Sequence, residues 1–308
     1  MIDGGNILQI TLIGLGKMGA NMARRWARGG VDVVAFDRSA DARASVAEAN
    51  ISPVASLAEA LAAVATPRIV WMMLPSGEIT ESTIDTLIPM MSKGDLLVDG
   101  GNANYKDSVR RAVKVNAAGI AYADVGVSGG VWGLQNGYCV MTGATPESYA
   151  LLKPYLEVLA PSTTQGIVHA GAVGAGHYAK MIHNGIEYGM MQALAEGFAL
   201  MEAKKDFAMP IADIAEAWRD GSVVRSWLLD LTAATLKKPD EIAAIAPYVA
   251  DSGEGRWAVE AMLDLGVPAP VTALALTTRF ATQGKGDYAA KLLAQMRAGF
   301  GGHAVKKQ

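Results

Sequence analysis

The chain has 308 residues, which at roughly 150 per domain predicts two domains. Half of the residues are hydrophobic (51%) and 19% are charged, a balance that supplies a sizeable core and excludes global disorder. A net charge of −3 speaks against a protein that works by neutralising nucleic-acid phosphates, and the lone cysteine, Cys139, excludes an intramolecular disulfide and suits a reducing, cytoplasmic setting.

The first residues, Met1-Ile2-Asp3-Gly4-Gly5-Asn6, lack the basic and then apolar stretch of a secretory signal. No apolar run approaches the ~18 residues of a membrane span, so a membrane partner is not expected. Residues 8–13 read as a short strand that runs into Gly14. Residues 17–28 read as a helix, with Met18, Met22 and Trp26 on one side and Gly29-Gly30 as its stop. The β-branched run 31–36 predicts a second strand, and 40–49 and 56–63 predict helices, the latter with Ser56 as N-cap and Glu59 three residues on. The almost wholly apolar run 68–74 is the pattern of a strand covered on both faces. Residues 96–99, 120–124 and 138–141 look like further strands, with Cys139 packed in the last. Strands spaced by helices predict an α/β, Rossmann-like, doubly wound parallel sheet over 1–175. Beyond it the β pattern fades. Residues 177–204 predict one long helix, and 211–219, 223–237, 255–265, 270–282 and 286–297 predict others, so 176–308 is an all-α domain.

Gly14-Leu15-Gly16-Lys17-Met18-Gly19 places G-x-G-x-x-G between a strand and a helix. A tight turn at Gly14, a bare backbone at Gly16 and close packing at Gly19 would bring a pyrophosphate to a helix N-terminus. The bland alternative is an ordinary strand–helix turn. The second strand ends at Asp37, where a carboxylate accepts hydrogen bonds from ribose hydroxyls and repels a 2′-phosphate. This favours NAD. Arg38 next to it would neutralise that phosphate instead, and Asp37 could simply cap the helix near Ala40.

Lys180, His183, Asn184 and Glu187 recur at i, i+3, i+4, i+7 on one helix face, while Met181, Ile182, Ile186, Met190 and Leu194 occupy much of the rest. A helix apolar on most sides is expected to be buried, so its polar stripe should face a cavity or pair internally. A desolvated lysine is a usable base near neutral pH, and a carboxylic acid two turns away is a proton donor. The alternative is a solvated Lys–Glu face, against which Gly185 argues, because a mid-helix glycine suggests that something approaches closely. Asp124-Val125-Gly126-Val127-Ser128-Gly129-Gly130 offers amides and a hydroxyl for a carboxylate, or is a plain glycine turn. Asp99-Gly100-Gly101-Asn102 ends another strand, where Asn102 would orient ligand oxygens or cap the helix near Tyr105.

Together these motifs resemble the decarboxylating 6-phosphogluconate dehydrogenases in their short, NAD-preferring form, within the β-hydroxyacid dehydrogenases. The run His183-Asn184-Gly185-Ile186-Glu187-Tyr188-Gly189 is the most specific element, and Arg297-Ala298-Gly299-Phe300-Gly301-Gly302-His303 is similar to the family's C-terminal pattern. The resemblance implies oxidation and decarboxylation of 6-phosphogluconate to ribulose 5-phosphate, with Lys180 as base and Glu187 as acid. It implies cofactor contacts from Gly14, Leu15, Gly16, Lys17, Met18, Gly19, Asp37, Arg38, Leu74 and Asn102. It implies that Asn102, Ser128, Gly129, Gly130, His183 and Asn184 hold the sugar acid, and that Tyr188, Arg279, Arg297 and His303 hold its phosphate. No metal is implied. The C-terminal tail implies self-association, because in the family it reaches a neighbouring subunit's active site. The sequence departs from the larger members at Ser252, where they carry a phosphate-binding lysine, and at Asp37-Arg38-Ser39, where they carry a polar stretch for the NADP phosphate. Three other readings compete: a non-decarboxylating relative acting on 3-hydroxyisobutyrate or tartronate semialdehyde, an imine reductase, and a catalytically silent nucleotide sensor.

Overall fold

The computed structural model describes residues 8–307, the Phe300 side chain excepted, so the reading of Met1 to Asn6 lies outside it. Two compact units divide the chain after Met181. In the first, strands β1 (Gln9–Ile13), β2 (Asp32–Phe36), β3 (Ile51–Val54), β4 (Ile69–Met72), β5 (Leu96–Asp99), β6 (Ala121–Ser128), β7 (Cys139–Gly143) and β8 (Ile167–Gly171) form one sheet in the order 3-2-1-4-5-6-7-8. Between them run α1 (Lys17–Arg28), α2 (Ala40–Ser45), α3 (Leu57–Ala62), α4 (Glu78–Leu87), α5 (Tyr105–Ala117), α6 (Gly133–Asn136) and α7 (Pro146–Leu159). The order reverses between β1 and β4, the switch point at which such sheets bind ligands outside their carboxyl ends.

The sheet is parallel except at one place. β6 and β7 pair antiparallel, with Ser128 opposite Cys139. A connection of ten residues is too short for a parallel crossover, which takes a dozen or more. Cys139, as the first residue of β7, is exposed rather than packed. The helix expected over 40–49 ends at Ser45, and Asn50 takes the left-handed conformation that turns the chain into β3.

Strands β4 and β5 are buried along their whole length, as expected for strands with helices on both faces. The core on one side is anchored by Trp26 of α1 and Trp71 of β4, packed edge to face at 5.2 Å. The Trp26 indole donates to the Tyr155 carbonyl at 2.9 Å, which ties α1 to α7.

Helix α8 (Ala175–Ala203) runs 29 residues, about 43 Å, as one continuous helix across the division. The second unit continues with α9 (Ile211–Trp218), α10 (Trp227–Leu236), α11 (Pro239–Ala243), α12 (Glu254–Leu265), α13 (Pro270–Thr282) and α14 (Asp287–Gly301). Phe198, Ala215, Leu229 and Ala233 form one of its cores, and Tyr188, Ala275 and Leu276 another. Helix α14 runs past the expected end near residue 297 and stops at Gly302, a left-handed C-cap. Among the described residues no helix is long and apolar enough to cross a membrane.

The candidate active site

The glycine loop joins β1 to α1, and its three glycines serve three purposes. Gly14 has φ +98°, and a Cβ there would overlap the Met73 carbonyl oxygen. A Cβ at Gly19 would overlap the Gly14 carbonyl oxygen, so α1 packs directly on the loop. At Gly16 a Cβ would meet none of the described residues within 4 Å, which leaves that backbone open to a ligand. Among the described residues no side chain caps the α1 N-terminus at Gly16, so its first-turn amides stay available for an anion. These features fit a dinucleotide pyrophosphate.

Asp37 at the end of β2 is tied to this loop. Its Oδ2 accepts from the Leu15 amide at 2.8 Å, and its Oδ1 accepts from the Ser39 amide at 2.8 Å. The cap of α2 is Ser39, whose hydroxyl accepts from the Ala42 amide, so capping does not explain Asp37. Leu15 has its side chain in the core and spends its amide on Asp37, while Gly16 and Lys17 beside it are exposed. Arg38 is exposed, and Arg43 braces this corner by donating to the Asp37 carbonyl at 2.6 Å.

Leu74 follows β4 and lies against both neighbouring turns. A Cβ at Gly14 would come within 3.0 Å of its Cδ2, and one at Gly101 within 2.5 Å of its carbonyl oxygen. The Asp99–Asn102 turn is braced from below. Asp99 Oδ2 accepts from Arg111 at 2.9 Å and from the Tyr122 hydroxyl at 3.2 Å, and Oδ1 accepts from the Gly101 amide at 3.2 Å. Asn102 is exposed at the strand end, and the cap of α5 is Asn104 instead, which removes the bland reading of Asn102.

A groove of about 350 Å³ runs from Gly16 and Lys17 along α1 to Asn21 and Arg24, and is also lined by Ser45 and Val131. Asn21 and Arg24 were missed from sequence, although with Lys17 they recur at i, i+4, i+7 as the polar face of α1. Val131 comes from the loop after Ser128-Gly129-Gly130, where Gly129 and Gly130 both have positive φ.

Lys180 stands on α8 over this strand end. A Cβ at Gly126 in β6 would overlap the Lys180 Cβ and lie 2.7 Å from the Gly176 carbonyl oxygen. Helix and strand therefore meet backbone to backbone, two residues before Ser128. Although Cys139 is exposed, partial desolvation pushes its thiol up, and the Lys180 ammonium pulls it partly back, so Lys180 also acts on the residue paired with Ser128.

Further along α8, Asn184 is buried and its Oδ1 lies 3.1 Å from His183 Nδ1. His183 Nδ1 lies 3.8 Å from Glu187 Oε2, and both side chains are about 40% exposed. One expectation fails here and one holds. The helix is not covered on most sides, since Ile186 and Met190 are 58% and 42% exposed. The close approach expected at Gly185 is present: a Cβ there would lie 3.0 Å from the Ala258 Cβ and 3.3 Å from Thr272 Cγ2, so what approaches is α12 and α13.

Tyr188, Ser252 and Arg279 come together in the second unit. The Tyr188 and Ser252 hydroxyls are 3.3 Å apart, and the Arg279 guanidinium stacks 3.4 Å over the Tyr188 ring. Gly255 at the start of α12 makes room for that ring. Arg297 lies on α14 and His303 beyond its cap, both exposed.

Residues 9–171 match the family model for the NAD binding domain of 6-phosphogluconate dehydrogenase, and residues 176–306 match the model for that enzyme's C-terminal domain. The chain is 36% identical over 302 residues to the NAD(+)-dependent, decarboxylating 6-phosphogluconate dehydrogenase of Haloferax volcanii, covering 98% of this chain and 99% of that one. It superposes on the Plasmodium falciparum 6-phosphogluconate dehydrogenase, solved with NADP+ and with its substrate, at a TM-score of 0.84 and 25% identity. That match covers 97% of this chain and 66% of the other. A Mycobacterium tuberculosis 3-hydroxyisobutyrate dehydrogenase shares the fold at a TM-score of 0.72 and 23% identity, over 92% of this chain and 94% of that one. With both halves matched in the same order and a full-length relative above a third identical, the chain belongs to the 6-phosphogluconate dehydrogenase family.

Proposed function

We propose that this protein oxidises and decarboxylates 6-phosphogluconate to ribulose 5-phosphate and CO2, with NAD as the preferred acceptor. The observation that supports the reading is the contact of the Lys180 stem with Gly126, on the strand that ends at Ser128. The dinucleotide would be held by the glycine loop, Asp37, Leu74 and Asn102. When bound, the nicotinamide supplies the acceptor for the hydride that leaves C3. Lys180 takes the proton of the 3-hydroxyl as that hydride departs. The 3-keto acid then loses CO2 because its carbonyl accepts the electron pair, and Lys180, now protonated, polarises that carbonyl. Glu187 protonates C1 of the enediol, with His183 3.8 Å away to hold its carboxylate in place.

Asn102, Ser128, Gly129, Gly130, His183 and Asn184 would hold the sugar acid. Tyr188 and Arg279, with Arg297 and His303 from the tail, would hold its phosphate, arginine being suited to bidentate binding. Asp37 supports NAD over NADP, since a carboxylate at the ribose repels a 2′-phosphate. We take residues 1–175 as the cofactor domain and 176–308 as the substrate and self-association domain. Uncovered Ile186 and Met190 on α8 support self-association. We place the enzyme in the cytoplasm, a setting that its single cysteine suits.

The test is an assay of 6-phosphogluconate labelled at C1, against 3-hydroxyisobutyrate, with each nicotinamide cofactor. The expected result is labelled CO2 with matched NADH. Oxidation without CO2 release, or turnover of 3-hydroxyisobutyrate alone, would assign the chain to a non-decarboxylating activity. No turnover of either would leave a nucleotide sensor.

A further inference from the structure

Asp124 lies in β6 four residues before Ser128, is completely buried, and has no part in the chemistry above. Its two oxygens are both spent on the start of α8. Oδ1 accepts from the Gly174 amide at 2.5 Å and Oδ2 from the His177 amide at 2.7 Å. These are amides that a helix cannot pair with its own carbonyls. Normally the N-cap side chain takes them, but position 174 is a glycine, so the acceptor comes from the sheet instead. A Cβ at Gly143 would overlap Asp124 Oδ1, so the carboxylate is confined to this orientation. The same turn is tied to α5 by the Ser108 hydroxyl, 2.7 Å from His177 Nδ1.

Lys180 follows His177 by three residues, less than one helical turn. An N-cap within the chain would hold α8 together but would not fix where it sits. A cap supplied by β6 fixes the helix, in height and rotation, against the strand whose end carries Ser128. We propose that Asp124 is a positioning residue for Lys180, and that the Ser108–His177 pair is the second half of the same clamp. The inference rests on Lys180 being the base.

The test compares Asp124→Asn, Ser108→Ala, Lys180→Met and Thr145→Ala with the wild type. Asp124→Asn keeps size and burial but turns an NH2 toward one of the two amides. Thr145→Ala removes the hydroxyl that caps α7 by accepting from the Ser148 amide, a loss of helix cap unrelated to Lys180. Turnover, KM for both substrates and NADH affinity by fluorescence are measured well below each variant's Tm. Asp124→Asn is expected to lower kcat about 10- to 100-fold, and Ser108→Ala by a smaller factor, each with KM for NAD within about twofold. Thr145→Ala is expected to lower Tm and leave kcat unchanged. Wild-type kcat in Asp124→Asn overturns the proposal, as does an equal loss in Thr145→Ala. If Asp124→Asn does not fold, wild-type kcat in Ser108→Ala overturns it. Oxidation surviving in Lys180→Met removes the base itself. Silence in that variant beside an unaffected Asp124→Asn removes only the clamp.

Discussion

Gly126 and Lys180 touch at backbone distance, with no space for even a methyl group on the glycine. The stem of Lys180 is thereby held against the strand whose last residue is Ser128. Gly126→Ala must push α8 outward, and displacements near 1 Å cost about 100-fold in turnover. The glycine loop is untouched by this change, so NADH affinity should hold. Steady-state kinetics beside an NADH fluorescence titration read both. Unchanged kcat would mean that the position of Lys180 does not matter.

Lys180→Met keeps the stem of the side chain and removes the amine. Loss of a positioned general base costs about 100- to 10,000-fold. We expect oxidation to fall by at least that range while NADH binding stays near wild type. An amine-free variant that still reduces NAD at a tenth of the normal rate would exclude Lys180 as the base.

Asp37→Ser should change cofactor choice more than overall activity. The carboxylate that holds the Leu15 amide is also the group that would repel a 2′-phosphate. Its removal, with Arg38 alongside, is expected to lower the ratio of kcat/KM for NAD over NADP by about 10-fold or more. The two cofactors are compared under saturating sugar acid. A ratio that does not move would assign Asp37 to the loop alone.

Much of this geometry could be read in advance because it is local. The roles of Gly14, Gly16 and Gly19 follow from a strand, a turn and a helix that are contiguous in the chain. What was missed depends on partners distant in sequence. β3 contains Pro53, which argues against a strand until the sheet order makes it an edge. Pro154 hides α7 in the same way, although Pro146 at its first position favours a helix. The exposure of Cys139 follows only from its register against Ser128. On α8, periodicity finds the apolar residues but cannot say what covers them, so Ile186 and Met190 read as core and stand exposed. The role of Asp124 has no local pattern, because the helix it caps begins some fifty residues later.

Arg279 and Arg297 test the phosphate assignment. Arg279 is stacked on Tyr188 and donates to the Ala250 carbonyl at 3.0 Å, so its guanidinium is already oriented. Lysine keeps the charge but neither stacks nor binds bidentately. Arg279→Lys and Arg297→Ala are each expected to raise KM for 6-phosphogluconate about 10- to 100-fold with a smaller fall in kcat. Initial rates over a wide substrate range separate the two. If KM stays put, the phosphate is held elsewhere.

Tyr138 sets an alkaline limit on stability. Its ring is fully buried beneath the Ser128 loop, against Gly133 and Gly129, and its hydroxyl has no hydrogen-bond partner among the described residues. Burial pushes its pKa up from 10.0 to about 12, opposed in part by the Arg25 guanidinium. The folded state therefore holds this proton more tightly than the unfolded chain does. The stabilisation is complete below pH 10 and is lost as the pH rises through about 12. Two pKa units correspond to roughly 2–3 kcal/mol. Denaturant titrations at pH 9 and pH 12 are expected to show the wild type losing about that much more than Tyr138→Phe. Parallel losses in the two proteins would show that the Tyr138 hydroxyl titrates no differently folded than unfolded.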